Sequence, residues 1–399
     1  MKRYALLILG IAIASSMVLA ACQPAVEQPV VEAPKVEAPK TDIVVGMIQD
    51  LSGPGSVFGN ACVKGAELAI KEINSAGGVD GRKLKLIPYD IANKTEEAIN
   101  AYKRLADVDK ANIVLGPPLS NVGLALIPVS NEKKIPILGL FGHPSVMVNQ
   151  DGTTNPYMFL AQPSSSYSGL SMGSYDVNVL GVKKVAVIAR QDHSFLMTFL
   201  EGYKKYLESH GGTVTTEQFV KAGDTDFKVQ LNKMKETAPD SIFSAMTTQE
   251  QVILVTQANQ LGIDLQMSGS GDFSLPFVSL LSDPKMADEI YFPNSLNEED
   301  PEIQGVRKAY LAEYKEEPSR MSYMAYDQIT MLVEAIKKAG YKVDPESIKA
   351  SLENNIKDLK VNQGVISLDP KTHMPIGLAM WIYKIEDGKY VLLERHLPK

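Results

Sequence analysis

The stretch "DIVVGMIQDLSGPGSVFGNACVKGAELAIKEIN", residues 42–74, decides how this chain is read. An apolar run rich in β-branched residues opens it, "GPGSVFG" is a glycine-rich turn, and the rest repeats apolar residues at helical spacing. Strand, turn and helix in this order suit a dinucleotide fingerprint. The spacing does not, because Gly53, Gly55 and Gly59 give G-x-G-x-x-x-G with Pro54 in the turn, where a pyrophosphate cradle needs G-x-G-x-x-G. The stretch therefore reads as a β-α unit whose turn lacks the tight approach a pyrophosphate needs.

The same alternation runs outward from it. The helix "GNACVKGAELAIKEINSAGG" sets Val63, Ala66, Ile70 and Ile73 on one face. "KLKLIPYD" is a strand, and "NKTEEAINAYKRLADVDKA" is a helix opening on a capping-box variant, Asn93 with Glu96. The strand "NIVLG", the helix "SNVGLALIPVSNEKK" and the strand "IPILGL" follow. Repeated β-α units predict a parallel sheet covered by helices on both faces. After a loop through residue 163 the alternation restarts, with strands at "KKVAVIAR", "TVTTEQFV", "DSIFSAM" and "LQMSGSG" separated by helices, which predicts a second parallel sheet. Beyond "EIYFPNS" come three helices with no strand between them, then a hairpin in "GLAMWIYKIEDGKYVLLE" turning at Asp387-Gly388.

The N-terminus reads as a processing signal. Lys2 and Arg3 precede an apolar run too short to span a membrane, and small residues lead to Cys22. Residues 23–40, "QPAVEQPVVEAPKVEAPK", repeat "VEAPK" and carry regular proline, which favours an extended tether reaching roughly 55 Å at ~3.1 Å per residue. The formal net charge is −7, and loss of residues 1–21 takes away two cations and no acid, leaving −9. An acidic exported body argues against nucleic acid as a partner, as does the absence of a basic-aromatic stripe. Only Cys22 and Cys62 are present, and Cys62, on the first helix, reads as a small packing residue. The 358 residues from Asp42 onward exceed one small core and suit two lobes.

At this point the chain resembles the extracellular solute-binding proteins of branched-chain amino-acid ABC transporters. Residues 53–90, "GPGSVFGNACVKGAELAIKEINSAGGVDGRKLKLIPYD", are similar to that family's opening, and "AGDTDF" (222–227) and "AYD" (325–327) recur at its positions. The small residues before Cys22 resemble a bacterial lipobox. The resemblance implies an α/β fold of type I periplasmic binding proteins: two Rossmann-like lobes with parallel sheets joined by a three-strand hinge. Residues 1–21 are then a lipoprotein signal peptide and 22–41 the lipidated cysteine and tether. Lobe one takes 42–162 and 294–362, and lobe two takes 163–293 and 363–399. The implied function is capture of a small amino-acid-like solute and delivery to a membrane permease, by a monomer anchored to the cell membrane and facing the periplasm or cell exterior. The alternative is a sensor of the same fold that signals to a membrane receptor.

The resemblance also nominates residues. Phe58 matches an aromatic that covers ligand, or else is a packing ring. Ser120 matches a carboxylate contact, or else caps a helix. Phe141, Gly142 and His143 stand where amino-acid binders resemble "S-x-A-T-S-P", and "GLFGHP" lacks the threonine; His143 is a substitute polar contact or a solvated loop histidine. Phe195 replaces a tyrosine, and Thr247 replaces another. Asp272 in "GSGDFSL" is the candidate partner of an α-ammonium, or an N-cap for a helix starting near Ser274. The acid end of the family pocket is kept and its amine end is altered. No cofactor motif, no nucleophile elbow and no metal spacing among the five histidines point to catalysis.

Overall fold

The computed structural model describes residues 40–274 and 276–398; Cys22, the apolar leader and the proline-rich segment lie outside them. Lobe one opens with β1 (Ile43–Gln49), α1 (Ser56–Ser75), β2 (Leu84–Asp90), α2 (Thr95–Asp107), β3 (Ile113–Gly116), α3 (Ser120–Lys133), β4 (Ile137–Gly139) and β5 (Met158–Leu160). Its strands pair in parallel in the order β2-β1-β3-β4-β5. Alternation along each strand divides the apolar side chains between two faces. Ile113, Leu115, Leu138 and Phe159 join one core, and Val114, Ile137, Met158 and Leu160 join the other.

Lobe two contains α4 (Ser165–Asn178), β6 (Lys184–Arg190), α5 (Ser194–Ser209), β7 (Thr213–Val220), α6 (Lys228–Glu236), β8 (Ser241–Ala245), α7 (Thr248–Gln260), β9 (Met267–Gly269) and β10 (Ile290–Asn294). These strands run in parallel in the order β7-β6-β8-β9-β10. Helices α4 and α5 approach so closely that a Cβ at Gly169 would lie 1.8 Å from the Phe199 carbonyl oxygen, and one at Gly202 would lie 1.9 Å from that of Ser166.

The chain then returns to lobe one through α8 (Gln304–Tyr314), α9 (Arg320–Lys338) and α10 (Pro345–Asn355). Met324, Ile329, Leu332, Ile336, Ile348 and Leu352 of α9 and α10 fill the core against β1 and α1, so these helices cover a sheet already built. Gly65 lets α1 and α9 touch, since a Cβ there would sit 2.0 Å from the Ser322 carbonyl oxygen. Three short strands, β11 (Leu359–Val361), β12 (Gly364–Leu368) and β13 (Pro375–Ile376), form a small antiparallel sheet. The sequence placed residues from 363 onward in lobe two. The structure instead packs Ile366 and Leu368 into the lobe-one core and stacks His373 on Phe159, with ring centroids 4.1 Å apart. Only β14 (Met380–Glu386) and β15 (Lys389–His396) join the lobe-two sheet, antiparallel beside β10. Their turn holds Asp387 and Gly388 at φ 48° and 67°, as a tight hairpin requires.

The chain passes between the lobes near residues 161–164, 295–300 and 377–379, in irregular segments rather than strands. Asp327, from the "AYD" motif in α9, ties one approach to them. Its buried carboxylate accepts bonds from the Asn362 backbone N–H (2.8 Å) and Nδ2 (2.7 Å), and from the Gln363 backbone N–H (3.2 Å) and Nε2 (3.1 Å). Gln363 Nε2 also donates to the Ala161 carbonyl at 3.0 Å.

Two local expectations fail. Helix α2 has Lys94 as N-cap and no side-chain cap, because Asn93 sits in the left-handed region at φ 57° as part of the preceding turn. Asp272 caps no helix near Ser274; it lies inside a 3₁₀ turn, Gly271–Phe273, and the next 3₁₀ turn is preceded by Pro276. Cys62 is fully buried in the lobe-one core, and burial pushes its thiol up to about 12, as an inert packing residue should behave.

Candidate functional site

Open parallel sheets leave a crevice at the carboxyl ends of their strands. Here both crevices open onto one cavity of about 690 Å³. Gln49 ends β1, Pro117 follows β3, Leu140 follows β4, His193 follows β6, Thr247 follows β8 and Gly271 follows β9, and all line it. The starts of α1, α3, α5, α7 and α9 line it too, through Phe58, Ser120, Phe195, Thr247 and Arg320. Phe199, Leu196, Met321 and Met380 supply apolar wall.

The glycine-rich turn answers the question its spacing raised. Asp50 is buried, and its carboxylate accepts the Gly53 N–H at 2.7 Å on Oδ1 and the Gly55 N–H at 2.7 Å on Oδ2. A Cβ at Gly53 would lie 2.6 Å from Oδ1, and one at Gly59 would lie 2.0 Å from the Asp50 carbonyl oxygen. The glycines thus wrap the chain around its own carboxylate, and the N–H groups that would greet a phosphate are taken.

Each polar group on the walls has a definite remaining capacity. Ser120 Oγ accepts the N–H groups of Gly142 (3.1 Å) and His143 (3.0 Å), so its lone pairs are used and its O–H is left to donate. Helix α3 begins after Leu119, with no side-chain cap. Thr247 forms a capping box: its hydroxyl donates to Glu250 Oε2 at 2.7 Å and accepts the Glu250 backbone N–H, which leaves one lone pair. Glu250 also takes the Thr247 N–H at 2.9 Å, and Arg190 balances it at 3.2 Å. His193 caps α5, with Nδ1 accepting the Leu196 N–H at 3.4 Å.

Asp272 is half-buried, and Ser270 Oγ donates to its Oδ2 at 2.8 Å. Burial raises its pKa; Arg320 and His193 pull it the other way. Gly142 stands against lobe two, since a Cβ there would meet the Phe195 ring 2.5 Å away. Phe58 is 56% exposed at the cavity's edge.

Six nominated residues therefore meet at one cavity: Phe58, Ser120, Gly142, Phe195, Thr247 and Asp272. Phe141 and His143 do not line it. Phe141 is fully buried in the core of lobe one, in space left by Gly116, Gly123 and Gly139, where added Cβ atoms would fall 2.0–2.7 Å from its ring. His143 turns back on its own chain, with Nδ1 accepting the Ser145 N–H at 3.1 Å, and burial lowers its pKa.

Gln49 and Arg320 are polar lining residues that the sequence reading did not nominate. Gln49 is fully buried with neither amide atom hydrogen-bonded, and as the last residue of an apolar strand it gave no signal. Arg320 opens α9 and makes no hydrogen bond or ion pair among the described residues. Water still reaches its side chain inside the cavity, but surrounding protein lowers its pKa, while the charges of Asp272 and Glu298 raise it. An arginine just after a serine before a helical run was a visible signal, but only the return of α9 brings it here.

No group of three or more His, Cys, Asp or Glu among the described residues is placed to hold a metal ion. No helix among them is long and apolar enough to cross a membrane.

Comparison with known proteins agrees with this architecture. The chain is 25% identical over 362 residues to an amino acid binding protein of Pseudomonas aeruginosa, covering 88% of this chain and 92% of that one. The branched-chain amino acid transporter substrate-binding protein of Streptococcus pneumoniae, solved with isoleucine, superposes with a TM-score of 0.69 at 27% identity, over 88% of this chain and 99% of that one. An ABC transporter substrate-binding protein from Sphaerobacter thermophilus shares the fold with a TM-score of 0.77 at 21% identity, over 90% and 98% of the two chains. The model of the family described as periplasmic binding protein matches residues 42–389. Two parallel-sheet lobes, a cleft at their strand ends and this match together place the chain in the periplasmic binding protein family.

Proposed function

We propose that the chain is the substrate-binding component of an ABC importer, closing its lobes on a small amino-acid-like solute and handing it to a membrane permease. The observation that carries this is the single cavity of about 690 Å³ built from both lobes, a size suited to one small molecule. A solute held there touches both walls, so its contacts favour the closed arrangement, and closure is the signal a permease can read. Phe58 lies at the edge as a cover, Ser120 donates to an acid group, and Phe195 and the methionines receive an apolar side chain. The family's role is solute binding rather than catalysis. In this reading Cys22 carries the lipid, residues 23–40 are the tether, and the protein works as a monomer at the outer face of the membrane.

The test is a melting-temperature screen of the purified protein against amino acids, small carboxylates, amides and aromatic acids. A solute at 100 times its dissociation constant stabilises by ~2.7 kcal/mol. At least one amino acid or related carboxylate is expected to raise the midpoint. Strong stabilisation by another solute class alone would overturn the amino-acid assignment.

A further inference from the structure

Gln49 brings a buried amide with no bonds to the cavity. It ends β1, whose other residues are apolar, and it lines the cavity. The side chain is fully buried, and neither Oε1 nor Nε2 has a hydrogen-bond partner among the described residues. Strand alternation sets it on the face of Ile43, Val45 and Met47, which packs against α1 and α9. Gln328 of α9 reaches the neighbouring strands from that side. Its Nε2 donates to the Leu138 carbonyl at 2.6 Å and lies 3.5 Å from the Gly116 carbonyl, while its Oε1 is buried without a partner. Gly116 ends β3, the parallel neighbour of β1, with Leu115 level with Met47. Both glutamines therefore stand at the ends of β1 and β3, on the α9 side of the sheet. A primary amide donates twice and accepts twice, and burying that capacity unmet costs more than a typical hydrogen bond returns. Leucine or methionine would fill the same space without that cost.

We propose that Gln49, with Gln328, is a subsite for a primary carboxamide carried by the solute. This rests on the solute-receptor reading above and replaces a purely aliphatic side chain with one that ends in a neutral polar group. A carboxamide matches the unmet atoms: its carbonyl accepts from Gln49 Nε2, one N–H donates to Gln49 Oε1, and the other is left for Gln328 Oε1. The Gln49 amide is shut from solvent, so engagement turns its side chain toward the cavity it lines. A hydrocarbon tip leaves both Gln49 atoms unmet. A carboxylate tip takes Nε2 but sets an acceptor against Oε1. The apolar wall of Phe195, Leu196, Phe199 and Met380 holds the solute's stem.

Calorimetric titration of the purified protein tests this with near-isosteric pairs. These are L-asparagine against L-leucine, L-glutamine against L-glutamate and, without an amino group, 4-carbamoylbutanoate against 5-methylhexanoate. For wild type, the carboxamide of at least one pair is expected to bind about 10- to 100-fold more tightly than its partner. In Gln49→Leu that preference is expected to vanish or reverse, while the unliganded protein melts at a higher temperature because an unmet amide is gone. The wild-type ranking decides even where the variant fails to fold. Partners that bind as tightly as the carboxamide in every pair would overturn the inference and leave the receptor reading standing. A carboxamide preference that persists in Gln49→Leu would overturn it too, since the reading group would then lie elsewhere. Wild-type protein that binds none of these probes would overturn the amino-acid-like reading of function, and this inference with it.

Discussion

The two lobes repeat one plan but handle buried charge differently. In lobe one, Asp327 sits in the core with four donors shared over both carboxylate oxygens. In lobe two, Asp176 is equally buried, but Tyr203 (2.7 Å) and Ser268 (2.6 Å) both donate to Oδ2, and Oδ1 has no partner. Burial raises both acids, Asp327 to about 6 and Asp176 to about 7. The contrast teaches that one acid is a fastener and the other a weak point. Asp327 binds the approach to the crossings, where lost contacts would loosen the frame, whereas Asp176 lies inside a single lobe.

The sharpest way to break this contrast is Asp327→Asn. An amide cannot accept on both sides, so it turns an N–H₂ toward existing donors, and stability is expected to fall by about 3 kcal/mol in urea unfolding. A loss below about 1 kcal/mol would make the two acids equivalent.

Asp176 predicts a pH slope. Its folded pKa lies above its ordinary value of 3.8, so the native state holds a proton that the unfolded chain releases. Its contribution is fully present below about 4 and is lost as pH rises through about 7. In Asp176→Asn the fall in unfolding free energy over that window is expected to shrink by on the order of 4 kcal/mol. An unchanged slope would exonerate Asp176.

At the cleft, Gly142→Val puts a branched side chain where a single Cβ already meets the Phe195 ring at 2.5 Å. Affinity for the best solute of the screen is expected to drop roughly 30-fold, with part restored by Phe195→Ala in the same chain. No restoration would mean that the two lobes do not meet there. The smallest effect belongs to the cavity's edge: Phe58→Ala removes a half-exposed ring and is expected to cost about threefold in affinity, mostly through faster release.

Much of the fold was legible because each strand and helix announces itself locally. The β-α alternation, the bare helices and the Asp387-Gly388 hairpin follow from patterns a few residues long. The third crossing was not legible. "GVISL" is an apolar run with no mark of which core it serves, and only packing of Ile366 and Leu368 against α9 and α10 decides. The site divides the same way. Ser120 and Thr247 stand at helix starts that the pattern locates, so their presence at the cleft follows from topology. Phe141 could not be told from a pocket aromatic, because the glycines that make room for it lie in three different elements. Arg320 and Gln49 became functional candidates only when their hydrogen bonds could be counted.

The turn around Asp50 has one more consequence. A carboxylate fastened three and five residues from the amides it occupies competes at an effective concentration no free anion matches. Phosphates and nucleotides therefore meet a berth already filled, whatever their abundance. The glycine-rich turn keeps the outline of a nucleotide cradle and has closed that use with a single internal residue.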